Sequence, residues 1–370
     1  MALTQKSTPV LAPLTTFRFL AAMAIVSLHT IAQKEEYLRS GVTFFYVLSG
    51  FILTYVHPYI EHGAGKRLRF WIVRMARIWP LHLFTFAIVV AAKPFGVLLQ
   101  QHLIAGTALN LFLLQAWVPI SRVALSYNGV AWSLSVEVLF YALFLFLLPL
   151  ILKAPLKVIA LSLALTASLN GVAYVVLPEN TLGNVASYQT FLTFCPLMHL
   201  YKFIFGMALG VWWMSDSRRK IGQEQRNSGL ELLAFFGVLW MFPGSETLAQ
   251  FLISGQTYPL ASRFMQDFIC VPGFGLLLYV FANQMGIISR LFSYRWFVFL
   301  GEISFSVYMI HGIVASLLSR SNFPIKSPIG WFLYVVVVIG LSTVLYLFLE
   351  KPARRGIVRL ADLFHGQKAS

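Results

Sequence analysis

Acidic residues are scarce in this 370-residue chain, with 13 Asp and Glu against 28 Lys and Arg, and charged residues of both signs make up only 11%. A water-soluble domain carries about 25% charged residues. Here 58% are hydrophobic and mean hydropathy is +0.76, which excludes a single soluble core. Much of the apolar surface needs the bilayer as its solvent. Cysteine is nearly absent: Cys195 and Cys270 each sit in an apolar run and read as small buried hydrophobes. That excludes a disulfide framework and a zinc site of Cys spacing, and no metal site is expected. Internal repeats, low-complexity tracts and an evident soluble domain are also missing. A cleavable signal peptide does not fit, because the first apolar run contains Arg18 and only Lys6 precedes it.

What is present is a succession of long apolar runs. Spans are expected at about 14–33, 41–60, 72–92, 130–152, 156–177, 191–214, 229–243, 264–283, 297–318 and 329–350. Most approach the ~20 residues a helix needs to cross ~30 Å of hydrocarbon; the run at 229–243 is short. The runs are too continuous for barrel strands. The formal charge of +15 would suggest nucleic acid in a soluble protein. Here the cations gather in short loops, such as Lys66-Arg67-Leu68-Arg69 and Arg218-Arg219-Lys220, as the positive-inside rule requires. No nucleic-acid partner is expected. The rule stays consistent if both termini are cytoplasmic and the apolar stretch at 103–118 does not cross but forms a re-entrant or interfacial helix on the outer side. Arg320 and Lys326 are a minor violation. The expected fold is all-α: a polytopic bundle of about ten spans plus that one further helix.

Ionised groups at bilayer depth are costly, so each is a functional candidate. In the first span Arg18 and His29 are eleven residues apart, almost three whole turns, and share one face about 16.5 Å apart along the axis. A cation near the cytoplasmic edge below a deep imidazole suits a long donor with an anionic head. The bland alternative is that Arg18 snorkels and His29 packs. In the span after 130, Trp132-Ser133-Leu-Ser-Val-Glu137 carries a carboxylate at a depth estimated to match His29, so Glu137 is read as the orienter of an imidazole base, or else as a helix tie. Arg74 and Arg77 are three residues apart and face together; guanidinium forks match phosphate, and ordinary loop charge is the competitor. Near the C-terminus Ser304, Tyr308 and His311 form one helical stripe, with Glu302 at its cytoplasmic end. His199 and Lys202 fall inside a span, where helix–helix hydrogen bonding is the simpler account.

Taken in order, these motifs resemble the acyltransferase-3 family of bacterial membrane acyltransferases over about 14–355. The carriers are Arg18 with His29, Val42-Thr-Phe-Phe-Tyr-Val-Leu-Ser49-Gly-Phe51, Arg74-Met-Ala-Arg77-Ile-Trp-Pro80, Trp132 through Glu137, Gly301 through His311, and Glu350-Lys-Pro352. One departure is Phe305, where the family usually has Tyr. The resemblance implies a bacterial inner-membrane enzyme that moves an acyl group from acetyl-CoA or another acyl-CoA, a substrate rather than a resident cofactor, to a carbohydrate or glycolipid hydroxyl. Membrane lipid is the remaining partner. It implies His29 and Glu137 in catalysis, Arg18, Arg74 and Arg77 at the CoA, and Ser49, Trp132, Ser133, Glu302, Ser304, Tyr308 and His311 as further candidates. Residues 1–13 read as a cytoplasmic segment and 356–370 as a basic cytoplasmic tail, with no fused hydrolase-like domain expected. Two alternatives compete with this reading: a proton-coupled transporter with His29 and Glu137 as relays, and an acyltransferase of the unrelated membrane-bound O-acyltransferase type.

Overall fold

The computed structural model describes residues 9–59, 64–92, 101–178, 185–216, 224–253 and 259–366. Residues 1–8, the Arg218-Arg219-Lys220 cluster and the last four residues lie outside the described residues. The helices run α1 (Ala12–Thr30), α2 (Ser40–Val56), α3 (Ala64–Ala91), α4 (Gln101–Leu111), α5 (Ser121–Ala124), α6 (Trp132–Lys153), α7 (Pro155–Val176), α8 (Tyr188–Phe194) and α9 (Leu200–Ser215). They continue with α10 (Glu224–Ile253), α11 (Pro259–Phe281), α12 (Ile287–Phe292), α13 (Arg295–Arg320), α14 (Pro328–Leu345) and α15 (Lys351–Gly366). Among the described residues there is no strand, only an isolated bridge between Ile120 and Ala186.

Ten stretches of the described residues are long and apolar enough to cross a membrane. The short run at 229–243 belongs to one of them, Asn227–Leu252, so the doubt about it is resolved: polar Glu246 and Gln250 at its end had masked a continuous helix. Ten crossings return the chain to the end where α1 begins, called here the N-terminal end. The apolar stretch at 103–118 is not among the ten. Its helix, α4, has 11 residues and a length of about 16 Å, half the hydrocarbon thickness. It belongs to a folded segment at the opposite end of the bundle, tied down by Trp79 Nε1 to Leu111 O at 3.0 Å, Gln115 Nε2 to Ala131 O at 3.0 Å and Asn128 Nδ2 to Met309 O at 2.9 Å.

Close helix contacts depend on missing side chains. Gly50 of α2 and Gly206 of α9 face each other: a Cβ at Gly50 would stand 2.1 Å from Phe203 O, and one at Gly206 2.0 Å from Val47 O. Where lipid offers no hydrophobic drive between helices, such backbone approach is what holds them. Gly301 does the same for α13 on α1, where a Cβ would meet Thr15 O at 1.9 Å. Aromatic rings fill the remaining space, as in the parallel Phe140–Phe203 pair with centroids 4.4 Å apart. Glu231, a carboxylate within a span, accepts from the Gly286 and Ser289 amides at 2.9 and 3.0 Å and from the Ser289 hydroxyl, which tethers α10 to the start of α12.

The C-terminal segment is helical through its described residues. Residues 351–366 form α15, which lies along α3 and carries an Arg69–Asp362 ion pair at 2.7 Å. A π-helical turn, Tyr346–Glu350, connects it to α14 and brings Glu350 to Ser306 Oγ at 2.9 Å. Apolar positions among the basic ones give α15 a face to bury, a pattern that a charge count overlooks.

Gly206→Ala forces backbone apart, at a cost of about 1–3 kcal/mol. Its melting temperature in detergent should fall by several degrees, whereas Gly312→Ala, with open space at its Cβ, should match wild type. Equal melting of the two would remove the close α2–α9 crossing from this account.

Candidate active site

Helices α1, α2, α3, α6 and α13 enclose a cavity of about 280 Å³. It extends from Pro9 and Val56 at the N-terminal end to Ser133 and Tyr308 in the middle of the bundle. Arg18, Arg74, Arg77, Glu137, Ser49, Ser133 and Tyr308 all line it, so seven of the sequence-derived candidates meet there. Three guanidinium groups face one carboxylate among its described lining residues, which makes the cavity cationic. Arg74 stands in α3 where one turn separates it from Arg77. Its Nη2 donates to His57 Nε2 at 2.8 Å, and its Nε is buried without a hydrogen-bond partner in the protein. The Tyr46 hydroxyl, on the same wall, also lacks one. Buried donors are nearly always paired, and these two atoms in residues lining the cavity find no partner within the protein. Guanidinium groups in a partly desolvated pocket select an anion, phosphate above all.

His29, in the last turn of α1, lies beyond the closed end of this cavity. Its Nδ1 is 2.8 Å from His311 Nε2. The ring planes differ by 4° and the centroids are 5.2 Å apart, the N···N distance plus about two ring radii, so the rings meet edge to edge. The direction of the bond follows from the next one. His311 Nδ1 is 2.7 Å from Tyr308 O, and a carbonyl only accepts, so Nδ1 carries the proton. In the neutral pair His311 Nε2 is then the acceptor, His29 Nδ1 the donor, and His29 Nε2 is left with a lone pair. That is a base with its tautomer fixed by a second imidazole. Tyr334 donates to His311 O at 2.9 Å and Trp331 to Thr30 Oγ1 at 3.2 Å, so α14 holds both helices in place.

Glu137 does not share the depth of His29, and the expected pairing is corrected. Tyr308 Oη lies 2.9 Å from Ser133 Oγ and 3.0 Å from Val130 O, which sets the level at which α6 crosses α13. From there His311 rises about 4.5 Å toward one end and Glu137 descends about 6 Å toward the other. The depth estimate failed because α6 starts well inside the bundle: its second residue already meets the middle of α13. Glu137 instead accepts from Tyr141 Oη at 3.2 Å and lies among the arginines.

Three further candidates stand elsewhere. Ser304 donates to Gly301 O at 2.7 Å within its own helix. Glu302 accepts from Tyr346 Oη at 3.0 Å, and neither it nor Ser304 lines the cavity. Trp132 turns away from its neighbour Ser133 to line a second, smaller cavity. Sequence reasoning overlooked His57, Tyr46 and Tyr141, which carry no charge and look like ordinary packing residues. It also overlooked Asp267, which forms an ion pair with Lys202 at 2.7 Å. The signal for Asp267 was there: it is a carboxylate inside an apolar span.

An arginine-lined cavity inside a bundle with ten candidate spans, and an imidazole pair of fixed tautomer in the same bundle, define a polytopic membrane protein with a buried polar site. The model of the acyltransferase domain family matches residues 13–347, and the chain belongs to that family of acyl-transferring enzymes. Acyltransferase MdmB of Streptomyces mycarofaciens is 27% identical over 331 residues, covering 81% of this chain and 78% of the relative. O-acetyltransferase OatA of Staphylococcus aureus (strain NCTC 8325 / PS 47) is 22% identical over 362 residues, covering 91% and 56%. "Putative peptidoglycan O-acetyltransferase YrhL" of Bacillus subtilis (strain 168) is 25% identical over 358 residues, covering 91% and 54%. The chain thus spans little more than half the length of the last two. No solved structure matches. Family membership sets aside the proton-coupled transporter.

Two outcomes are expected. His311→Ala should lower kcat for acyl transfer by roughly 10²-fold, with the donor KM little changed, since it positions a base without touching the donor. A wild-type kcat would show that the imidazole pair is incidental. His57 lies between spans, and burial beside Arg74 and Arg69 pushes it down to about 4. Neutral His57 accepts from Arg74; its folded value is depressed, so this stabilisation is complete above about 6.5 and declines as pH falls toward 4. Donor affinity should change only as pH nears about 4, where His57 of the folded chain protonates and ceases to accept from Arg74, and His57→Gln, which still offers an acceptor, should flatten that change. An equally steep loss in His57→Gln would assign the pH dependence to another group.

Proposed function

We propose that this chain is an O-acyltransferase, with acetyl as the favoured group, that takes the acyl from acyl-CoA at the N-terminal end and delivers it to a carbohydrate hydroxyl at the opposite end. The observation that carries this reading is the arginine-lined cavity closing at Tyr308, one helical turn short of the His29–His311 pair. The phosphates of CoA sit at the cavity mouth against Arg18, Arg74 and Arg77. A cavity of this volume takes the thioester arm rather than the nucleotide. From Arg18 to His29 the climb is about 16.5 Å, the reach of an extended arm. Tyr308 and Phe45, whose ring centroids are 6.3 Å apart, stand at the point the arm must pass.

The chemistry balances on one base. His29 Nε2 takes the proton of the acceptor hydroxyl, and His311 receives the Nδ1–H of the resulting imidazolium. The oxygen attacks the thioester carbonyl, the C–S bond breaks, and the departing thiolate is protonated by the imidazolium. Glu137 balances charge among the arginines and fixes Tyr141; it takes no proton from the acceptor. The carbohydrate acceptor is supported by the sequence resemblance and by the relative that carries peptidoglycan O-acetyltransferase in its name. The placement of the N-terminal end in the cytoplasm of a bacterial inner membrane is supported by the cation-rich Lys66–Arg69 stretch at the start of α3 there.

The test uses sealed vesicles of both orientations containing the full chain. His29→Ala should lower transfer by roughly 10²–10⁴-fold with the donor KM nearly constant. Single Ala changes at Arg18, Arg74 or Arg77 should instead raise the apparent KM for acetyl-CoA by about tenfold, the size of one charge-assisted contact. With acetyl-CoA on the face bearing the N-terminus, an impermeant glycan on the other face should gain ester. Acylation only of glycan supplied on the acetyl-CoA face would reject transfer across the membrane.

A further inference from the structure

A second cavity, of about 60 Å³, lies on the opposite-end side of the first. It is walled by residues from α2, α6, α8, α9 and α11 and from the turns before α2 and α9. We propose that it is the acceptor subsite and that it holds a pair of vicinal hydroxyls on the edge of a neutral sugar ring; the proposal rests on the acyl-transfer reading above.

The cavity is organised around a buried ion pair that the mechanism leaves unused. The Lys202 ammonium, 2% exposed, donates to Asp267 Oδ2 at 2.7 Å, Thr43 Oγ1 at 3.1 Å and His199 Nδ1 at 3.1 Å, which accounts for all three protons. Because His199 Nδ1 accepts, its Nε2 carries the proton and donates to Thr193 O at 3.0 Å. Asp267 is different. Its side chain is 32% exposed, toward the cavity, and Thr43 occupies Oδ1 at 2.5 Å, which leaves lone pairs on both oxygens for donors from outside. A helix tie gains nothing from a half-open carboxylate, and apolar packing of equal volume would do as well at less desolvation cost.

The walls define the ligand class. Arg39 pairs with Glu36 at 2.7 Å as Lys202 pairs with Asp267, so the charges of each sign cancel within the wall. Such a site favours a neutral, hydroxyl-rich group over an anion, unlike the arginine cavity. Gln266 and the Trp132 ring add an amide and an apolar edge to the wall. The Tyr201 hydroxyl, buried in the same wall, has no hydrogen-bond partner in the protein, and a buried hydroxyl in that state calls for one from a ligand. At about 10–15 Å³ for each water-sized group, the volume admits one hydroxylated edge and leaves the rest of the ring outside.

The position fits the reaction. Val42 lines both cavities, and the consecutive residues Trp132 and Ser133 face one each. A single layer of side chains therefore separates donor from acceptor. His29 lines neither cavity and stands close to that layer, one turn beyond Ile25, whose side chain faces Gly41, next to Val42.

The experiment uses the full chain in lipid nanodiscs without acyl-CoA. Binding of methyl β-D-glucopyranoside, methyl β-D-galactopyranoside and methyl N-acetyl-β-D-glucosaminide is followed by saturation-transfer NMR. At least one should bind wild type. Asp267→Asn should weaken that probe by about tenfold, the loss of one charged acceptor. The double variant Lys202→Met with Asp267→Leu, which removes the pair without leaving a charge unpaired, should abolish binding while acetyl-CoA affinity stays at the wild-type value. The subsite is refuted if none of the three probes binds wild type, if the variants bind as wild type does, or if acetyl-CoA affinity falls in step with probe binding. Because no acyl group is transferred, a chain that binds sugar through Asp267 yet acylates nothing overturns only the enzymatic reading, and a chain that transfers normally with Asp267→Asn overturns only the subsite.

Discussion

The hydroxyl of Tyr308 meets Val130, in the turn before α6, and Ser133, in its first turn, and this one junction sets the layout of the site. It fixes α13 against the start of α6 in the middle of the bundle. On one side of it the arginine cavity closes. On the other, one turn along α13, His311 takes hold of His29. A slip of either helix by a residue would rotate the imidazole away from α1 and reopen the wall between the cavities. Gly301 makes the junction possible by letting α13 lie directly on α1.

Charge is tolerated within the apolar bundle only where it is used or cancelled. The arginine cavity keeps three cations with one carboxylate, an imbalance that an anionic guest would correct. The Lys202–Asp267 pair is neutral in itself and satisfied at the ammonium, yet open at the carboxylate. Glu231 is neutralised differently, by amides and a hydroxyl at the head of a short helix. Three ionised sites among the described residues thus serve three ends: attraction of an anion and recognition of a polyol, both as proposed here, and attachment of one helix to another. Sequence shows the presence of each group but not which end it serves, because that depends on which partner the fold brings within hydrogen-bond reach.

Sequence alone determined a great deal. Span lengths and loop charge gave an all-α bundle of ten crossings, with 103–118 left out, because a bilayer imposes a length and a charge distribution that can be counted residue by residue. Periodicity put Arg18 and His29 on one face and grouped Arg74 with Arg77, because those relations are internal to single helices. Only the tertiary structure decided which helices meet at which level. It moved Glu137 away from His29, gave that place to His311, set Ser304 and Glu302 apart, and joined Asp267 to Lys202 across 65 residues of sequence. The physical reason is that depth along a helix is fixed by where the helix starts inside the bundle. That start depends on close backbone contacts such as Gly50 with Phe203 and Gly301 with Thr15, which no local pattern encodes.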